Sequence, residues 1–127
     1  MKKETVLLIV EDNAYELENY LLLTRKAGYV SFGVGNTQAA RHFLESRCID
    51  VLLCDVFLSE KEADGLVLIK EAVQLQPQII PIVMSSHPDI CIYQQAMKNG
   101  ALFALKKPLI NTDEIAIAVR AAKEKLR

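Results

Sequence analysis

Five short apolar runs alternate along the chain with stretches of helical length. The runs lie at about 5–10, 30–35, 50–54, 79–84 and 102–105. Because they are continuously apolar and do not alternate with polar residues, they are typical of strands buried on both faces of a parallel sheet. The run Val30–Val34 is the weakest, since Ser31 and Gly33 interrupt it. The amphipathic stretches between the runs predict helices at about 14–27, 37–46, 65–75, 88–98 and 112–126.

Residues that commonly begin or end helices lie at the boundaries of the predicted helices. Asn36 is a capping residue for the second predicted helix, and Pro88 stands in the first turn of the fourth. Gly28 and Gly100 follow the first and fourth helices, where glycine commonly ends a helix. The helix and strand signals therefore agree with one another along the chain.

Five successive β/α units predict an α/β doubly wound fold, with a five-stranded parallel sheet and helices on both faces. The expected strand order is 2-1-3-4-5, which places the switch point between strands one and three. Ligands of such sheets bind beyond the carboxyl ends of the strands at that point. With 127 residues and a hydrophobic share of 51%, we expect residues 1–127 to form a single domain.

Composition and cysteine content narrow the range of partners and locations. The net charge of −1 implies no general attraction to nucleic acid. No apolar stretch approaches the roughly 20 residues that span a membrane, and the run behind Met1–Glu4 is too short for a signal peptide. Cys48, Cys54 and Cys91 are odd in number and form no CxxC pair, which favours reduced thiols in the cytoplasm.

Charged and hydroxyl side chains follow four of the five predicted strands. Glu11 and Asp12 follow the first, Asp55 the third, Ser85 the fourth and Lys107 the fifth. Parallel strands in the predicted order bring these residues to one edge of the sheet. Two like charges about 4 Å apart repel by about 4 kcal/mol at an effective dielectric near 20. The carboxylates therefore need a cation, or some of them must be protonated.

The residues at this edge suit magnesium and phosphoryl chemistry. Mg²⁺ prefers oxygen ligands and keeps several waters, so Asp12, Asp55, a backbone carbonyl and waters form a sensible ligand set. Zinc is disfavoured because no Cys/His set has ligand spacing. An aspartate beside Mg²⁺ can attack a phosphoryl group, and Lys107, Ser85 and the metal can each meet one phosphoryl oxygen.

This constellation resembles the receiver domain of bacterial two-component response regulators. Supporting matches are Gly65 at the start of the third helix, Ser85-Ser86-His87 after the fourth strand and Gly100-Ala101 before the fifth. The resemblance covers essentially all 127 residues. It implies the flavodoxin-like, CheY-like (βα)₅ fold and a phosphoprotein of phosphorelay signal transduction.

The resemblance also implies a role for each matching residue. Asp55 would be the phosphoacceptor and a ligand of Mg²⁺. Asp12 would bind the metal directly, Glu11 through water, and Phe57 through its backbone carbonyl.

On the phosphate side, Ser85 would be the switch hydroxyl and Lys107 the phosphate contact. The bond between Lys107 and Pro108 is often cis in the family.

The partners implied are a sensor histidine kinase or phosphotransfer protein and an effector domain or downstream protein. A homodimer through the fourth helix, fifth strand and fifth helix is a further option. Neither direct nucleic-acid binding nor membrane contact is implied. The expected location is cytoplasmic. The protein is not expected to be an enzyme beyond slow autodephosphorylation.

The chain departs from the family pattern in the parts that transmit the signal. Ala104 stands where an aromatic residue is usual, and strand alternation points the adjacent Phe103 to the other face. The segment Ser59–Asp64 lengthens the loop between Asp55 and Gly65. Reception of a phosphoryl group is therefore expected to be complete, and its transmission to be unusual.

Two other function classes compete with a phosphorylation switch. A pseudo-receiver would keep the fold as a protein-interaction module without being phosphorylated, with an altered output to which Ala104 would contribute. A phosphohydrolase with an aspartate nucleophile would carry a second Asp two residues after it as general acid. Phe57 holds that position and cannot transfer a proton.

Overall fold

The structure is a computed structural model that describes residues 4–58, 64–86 and 90–125. The loop residues 59–63, His87 and Pro88 lie outside the described residues, so the expectations for them stay predictions.

Strands and helices alternate along the chain as the sequence predicts. The strands are β1 (Val6–Val10), β2 (Val30–Val34), β3 (Val51–Asp55), β4 (Ile80–Ser85) and β5 (Phe103–Lys106). The helices are α1 (Ala14–Lys26), α2 (Thr37–Ser46), α3 (Asp64–Leu75), α4 (Ile90–Lys98) and α5 (Asp113–Lys125). Most predicted boundaries agree to within one residue; α4 begins next to residues outside the described ranges.

The five strands form one parallel sheet in the order β2-β1-β3-β4-β5, which confirms the doubly wound α/β fold. Asp55 in β3 pairs with Met84 in β4, and Ser85 pairs with Lys106 in β5. The carboxyl ends of these strands therefore lie at one level, where the functional residues were predicted to meet.

Strand alternation divides the buried residues into two layers on the two faces of the sheet. The layer under α2, α3 and α4 includes Leu8, Val10, Leu52, Cys54, Leu66, Ile69, Ala72 and Ala96. The layer under α1 and α5 includes Leu7, Ile9, Leu53, Tyr20, Ile115, Ala118 and Ala122. Ala104 packs against the first layer and Phe103 against the second, so the predicted opposite orientation of these neighbours is confirmed.

Side-chain caps fix the starts of the first two helices. The Asn13 side chain accepts a hydrogen bond of 2.9 Å from the backbone N–H of Glu16. The Asn36 side chain accepts one of 2.8 Å from Ala39 in the same way, which confirms the predicted cap. Each cap pairs a backbone donor that the helix itself leaves free.

Within the described ranges, no helix is long and apolar enough to cross a membrane. Cys54 is buried in the sheet, while Cys48 and Cys91 are exposed, and all three are free thiols.

Candidate functional site

Three carboxylates converge at the carboxyl edge of the sheet. Glu11 and Asp12 follow β1, and Asp55 ends β3 beside it. One oxygen from each lies within 4.8 Å of the others. Glu11 and Asp55 are buried and Asp12 is exposed. Since these ligands are all oxygens and repel one another, the cluster fits a hard divalent cation approached from solvent through Asp12.

Lys107 supplies positive charge to this cluster from the end of β5. Its Nζ lies 2.5 Å from Glu11 Oε1 and 2.8 Å from Asp55 Oδ2. The Lys107–Pro108 peptide bond is cis, as expected. Burial acts to lower the pKa of Lys107, but the hydrogen bonds to Asp55 and Glu11 outweigh burial and raise that pKa above its usual value. The ammonium therefore stays charged at neutral pH.

Glu11 is the most deeply buried acid of the site. Burial raises its pKa to about 7, although hydrogen bonds from Lys107 and from the backbone N–H of Asn13 act in the opposite direction. The charge of Asp55 raises it further. A divalent cation nearby would favour the ionised form of Glu11.

The site has space for a ligand group beside Asp55. A cavity of about 320 Å³ is lined by Asp55, Phe57, Ser85 and Ser86. The backbone N–H of Phe57 donates to Asp55 Oδ1 at 3.0 Å, so one carboxylate oxygen is held by the loop and the other by Lys107. The Ser85 carbonyl accepts a hydrogen bond of 2.9 Å from the Lys107 N–H, which ties the ends of β4 and β5 together. The metal-binding role of the Phe57 carbonyl stays a prediction.

Gly65 lets α3 begin directly against the end of β3. A Cβ at this position would lie 2.1 Å from the Asp55 carbonyl oxygen and 2.8 Å from Val56 Cα. Both are backbone atoms, so no flexible side chain can move aside. The Gly65 N–H also donates to the Val56 carbonyl at 2.9 Å. A residue without a side chain is therefore required where the sequence suggested only a helix start.

Glu16 is a residue of the site that was not predicted. Its Oε2 lies 3.4 Å from Lys107 Nζ, and its side chain is half-buried. Glu16 occupies the third helical position after the Asn13 cap, where glutamate commonly supports a helix start. The sequence signal is therefore that of a capping residue, and only the approach of Glu16, at the start of α1, to Lys107, which follows β5, reveals the contact.

Comparison with known proteins adds independent findings. A family model for the response regulator receiver domain matches residues 7–120. The chain is 31% identical over 103 residues to the transcriptional regulatory protein ZraR of Escherichia coli O157:H7, covering 81% of this chain and 23% of that protein. The chain thus spans less than a quarter of the length of this relative.

Solved structures share the fold. A response regulator protein from Burkholderia pseudomallei, solved with a phosphorylated aspartic acid, a calcium ion and citrate, has a TM-score of 0.85 at 25% identity. That comparison covers 97% of this chain and 71% of the other. A CheY-like receiver domain protein from Methanospirillum hungatei JF-1 has a TM-score of 0.86 at 19% identity, covering 97% and 99%.

Proposed function

The chain belongs to the response regulator receiver domain family, and from this premise we propose that it is a phosphorylation switch with Asp55 as phosphoacceptor. One observation carries the proposal: the Asp55 carboxylate adjoins both an open cavity and the Lys107 ammonium, 2.8 Å away. The phosphorylated aspartic acid of the Burkholderia pseudomallei relative supports it. The donor would be a histidine kinase or a phosphotransfer protein.

In the proposed transfer, a carboxylate oxygen of Asp55 attacks phosphorus. The phosphorus–nitrogen bond of the donor histidine breaks, and the nitrogen keeps the electron pair. Lys107 meets one of the phosphoryl oxygens, and Ser85, at the end of β4, meets a second as the switch hydroxyl. The aspartyl phosphate carries roughly −1.5 to −2 of charge. Pulling Lys107 and Ser85 toward it would shift the ends of β4 and β5.

We propose Mg²⁺ as the cation of the site. The carboxylates of Asp12 and Asp55 would bind it directly, Glu11 through water, and Phe57 through its backbone carbonyl. The oxygen-only donor set supports this choice. When bound, the cation neutralises the carboxylates and the oxygens of the transferred group.

Titration with beryllium fluoride, a phosphoryl mimic, or with acetyl phosphate in the presence of Mg²⁺ tests the proposal. We expect saturable binding of beryllium fluoride by the wild-type protein, detected by fluorine NMR, and phosphorylation by acetyl phosphate, detected as a mass increase of the intact protein. Asp55→Asn should abolish both, whereas Asp113→Asn, which removes an exposed acid from the first turn of α5, should leave both intact. An unresponsive wild type would favour the pseudo-receiver, and an Asp55→Asn protein that still responds would exclude Asp55 as acceptor.

We further propose that the protein is a switch and not a turnover enzyme, with slow autodephosphorylation only. Phe57, at the position of a phosphohydrolase general acid, has no proton to transfer. Transmission is proposed to differ from the family pattern, because the short side chain of Ala104 packs against the layer under α4 and offers no aromatic ring to swing inward.

The output partner is proposed to bind at α4, β5 and α5, where a second copy could also dock. Ile90, Ile110 and Ile117 are large apolar side chains that are exposed on or beside these elements, and they would supply the apolar part of such a contact. The partner itself would be an effector domain or a downstream protein. We propose no nucleic-acid contact for residues 1–127, whose net charge is −1. A cytoplasmic location is proposed from the three free cysteines.

A further inference from the structure

Lys107 contacts one carboxylate that the proposed phosphoryl transfer does not use. An ammonium has three N–H donors, and Lys107 Nζ has acceptors at Glu11 (2.5 Å), Asp55 (2.8 Å) and Glu16 (3.4 Å). The first two belong to the acidic cluster at the ends of β1 and β3. Glu16 comes from α1 and draws the ammonium toward that helix. A lysine that must turn to a phosphoryl oxygen is therefore also paired with a competing acceptor.

Of the three carboxylates that contact Lys107, that of Glu16 can leave the ammonium most easily. Its contact with Lys107 is the longest of the three, and its side chain is 37% exposed where that of Glu11 is 1% exposed. Its backbone is nevertheless fixed, because its N–H donates to the Asn13 side chain at 2.9 Å. The carboxylate can therefore change partner while the helix start stays in place.

A second donor lies one helical turn further along α1. The Tyr20 side chain is 3% exposed, and within the described part of the chain its hydroxyl has no hydrogen-bond partner. Residues four apart share a helix face, and side chains lean toward the helix start, so Tyr20 covers the turn that carries Glu16. Burial raises the pKa of Tyr20 to about 12, with smaller effects from the charges of Lys107 and Glu16. The hydroxyl is therefore a protonated donor at neutral pH.

We propose that Glu16 is a positioning residue that exchanges between two donors, Lys107 in the resting state and the Tyr20 hydroxyl once Lys107 turns to a phosphoryl group. This inference rests on the proposed role of Asp55. Glu16 restrains Lys107 and so opposes phosphorylation. The Tyr20 hydroxyl donates a hydrogen bond to the displaced Glu16 carboxylate and so favours phosphorylation.

Beryllium fluoride affinity at saturating Mg²⁺ tests the first half of the exchange. Glu16→Gln keeps the shape and removes the competing charge, so it should bind the probe about two- to fivefold more tightly, the range that a partly exposed ion pair supports. Glu18→Gln is the matched control, since Glu18 is exposed on the same helix and the charge change is identical. The NMR signal of the Lys107 ammonium should shift in the free Glu16→Gln protein and not in the control. Equal affinities for the two variants would overturn the restraint by Glu16.

The second half is tested with Tyr20→Phe, alone and in a Glu16→Ala background. Alone, it should weaken probe binding about two- to fivefold without lowering the urea midpoint of the unbound protein, because the lost hydroxyl has no partner there. In the Glu16→Ala background it should have no effect on probe affinity. The same loss in both backgrounds, or no loss in either, would overturn the exchange. A wild-type protein that does not bind the probe would overturn the proposed function instead, and this inference with it.

Discussion

At the scale of single residues, the site depends on one buried positive charge. Within residues 4–58, 64–86 and 90–125, Lys107 is the cation that contacts both Glu11 and Asp55, and all three side chains are at most 10% exposed. Buried charges are tolerated only when they are paired. Lys107, which would contact a phosphoryl group, therefore also stabilises the buried Glu11 and Asp55 carboxylates in the unphosphorylated protein.

Replacing Lys107 with Ala should cost stability because it leaves two buried carboxylates without a counter-charge. We expect the free energy of unfolding in urea, measured without divalent cations, to fall by about 3 kcal/mol. Lys106→Ala is the control, because that neighbour is exposed and should change stability by less than about 0.5 kcal/mol. Similar losses for both variants would mean that Lys107 acts only as a surface charge.

Position 65 has no room for a side chain, because backbone atoms at the end of β3 occupy the place that a Cβ would take. Gly65→Ala would put a Cβ 2.1 Å from the Asp55 carbonyl oxygen, so α3 must move away, at a cost of about 1–3 kcal/mol or more. Gly35→Ala is the comparison, because its Cβ would meet only the Glu11 carbonyl at 3.8 Å. Urea denaturation should separate the two variants. A Gly65→Ala protein as stable as Gly35→Ala would show that the close approach does not constrain the fold.

At the scale of elements, the Gln76 side chain, just after α3, links that helix to the end of α2 through hydrogen bonds. Gln76 Nε2 donates to the Leu44 carbonyl at 2.8 Å and to the Arg47 carbonyl at 2.7 Å, and Gln76 Oε1 accepts from the Ile49 N–H at 2.9 Å. One amide thus pairs with a carbonyl in the last turn of α2, with the carbonyl of the residue that caps this helix, and with the segment that leads into β3.

Gln76→Glu should weaken this link, because a carboxylate oxygen replaces the donor that faces two carbonyls. We expect the free energy of unfolding to fall by about 0.5–1.5 kcal/mol, the net contribution of a typical hydrogen bond, because these groups are only partly buried. Gln74→Glu introduces the same charge at an exposed position of α3 and should change stability by less than about 0.5 kcal/mol. Equal urea midpoints for the two variants would count against the link.

The polar residue and the glycine that interrupt β2, the weakest predicted strand, have a structural role. Ser31 and Gly33 interrupt the apolar run of β2, yet both positions serve α1. The Ser31 and Thr24 hydroxyls lie 2.7 Å apart in a buried hydrogen bond. At Gly33 a Cβ would lie 2.9 Å from the Leu17 and Leu21 side chains. The interruptions that weaken the strand signal are contacts to the helix that covers it.

At the scale of the whole molecule, the fold was predictable because each signal is local and repeated. Continuous apolar runs predicted the strands, and the polar residues directly behind them predicted which edge would carry Glu11, Asp55 and Lys107. What could not be predicted depends on how helices rotate and approach the sheet. Glu16 reads as a capping residue and Tyr20 as a packing residue until the folded structure brings the start of α1 to Lys107.

The same convergence implies that the molecule gives up stability for its site. Strand ends that fold side by side bring Glu11, Asp12 and Asp55 within 4.8 Å, and Lys107 cannot neutralise three carboxylates. Asp12→Asn should therefore raise the free energy of unfolding of the metal-free protein by about 0.5–1 kcal/mol, the scale of an exposed charge interaction. In the wild type, Mg²⁺ at 100 times its dissociation constant should add about 2.7 kcal/mol.

Urea titrations with and without Mg²⁺ measure both effects, the stability gained by removing the Asp12 charge and the stability gained from the cation. Asp12→Asn should begin more stable than the wild type and gain little from the cation, since an exposed ligand of the proposed site is missing. Asp113→Asn, an exposed change in the first turn of α5, should keep the full gain. If Asp12→Asn keeps the full gain as well, the cation binds elsewhere. If it loses the gain without becoming more stable, the carboxylates do not strain the metal-free fold.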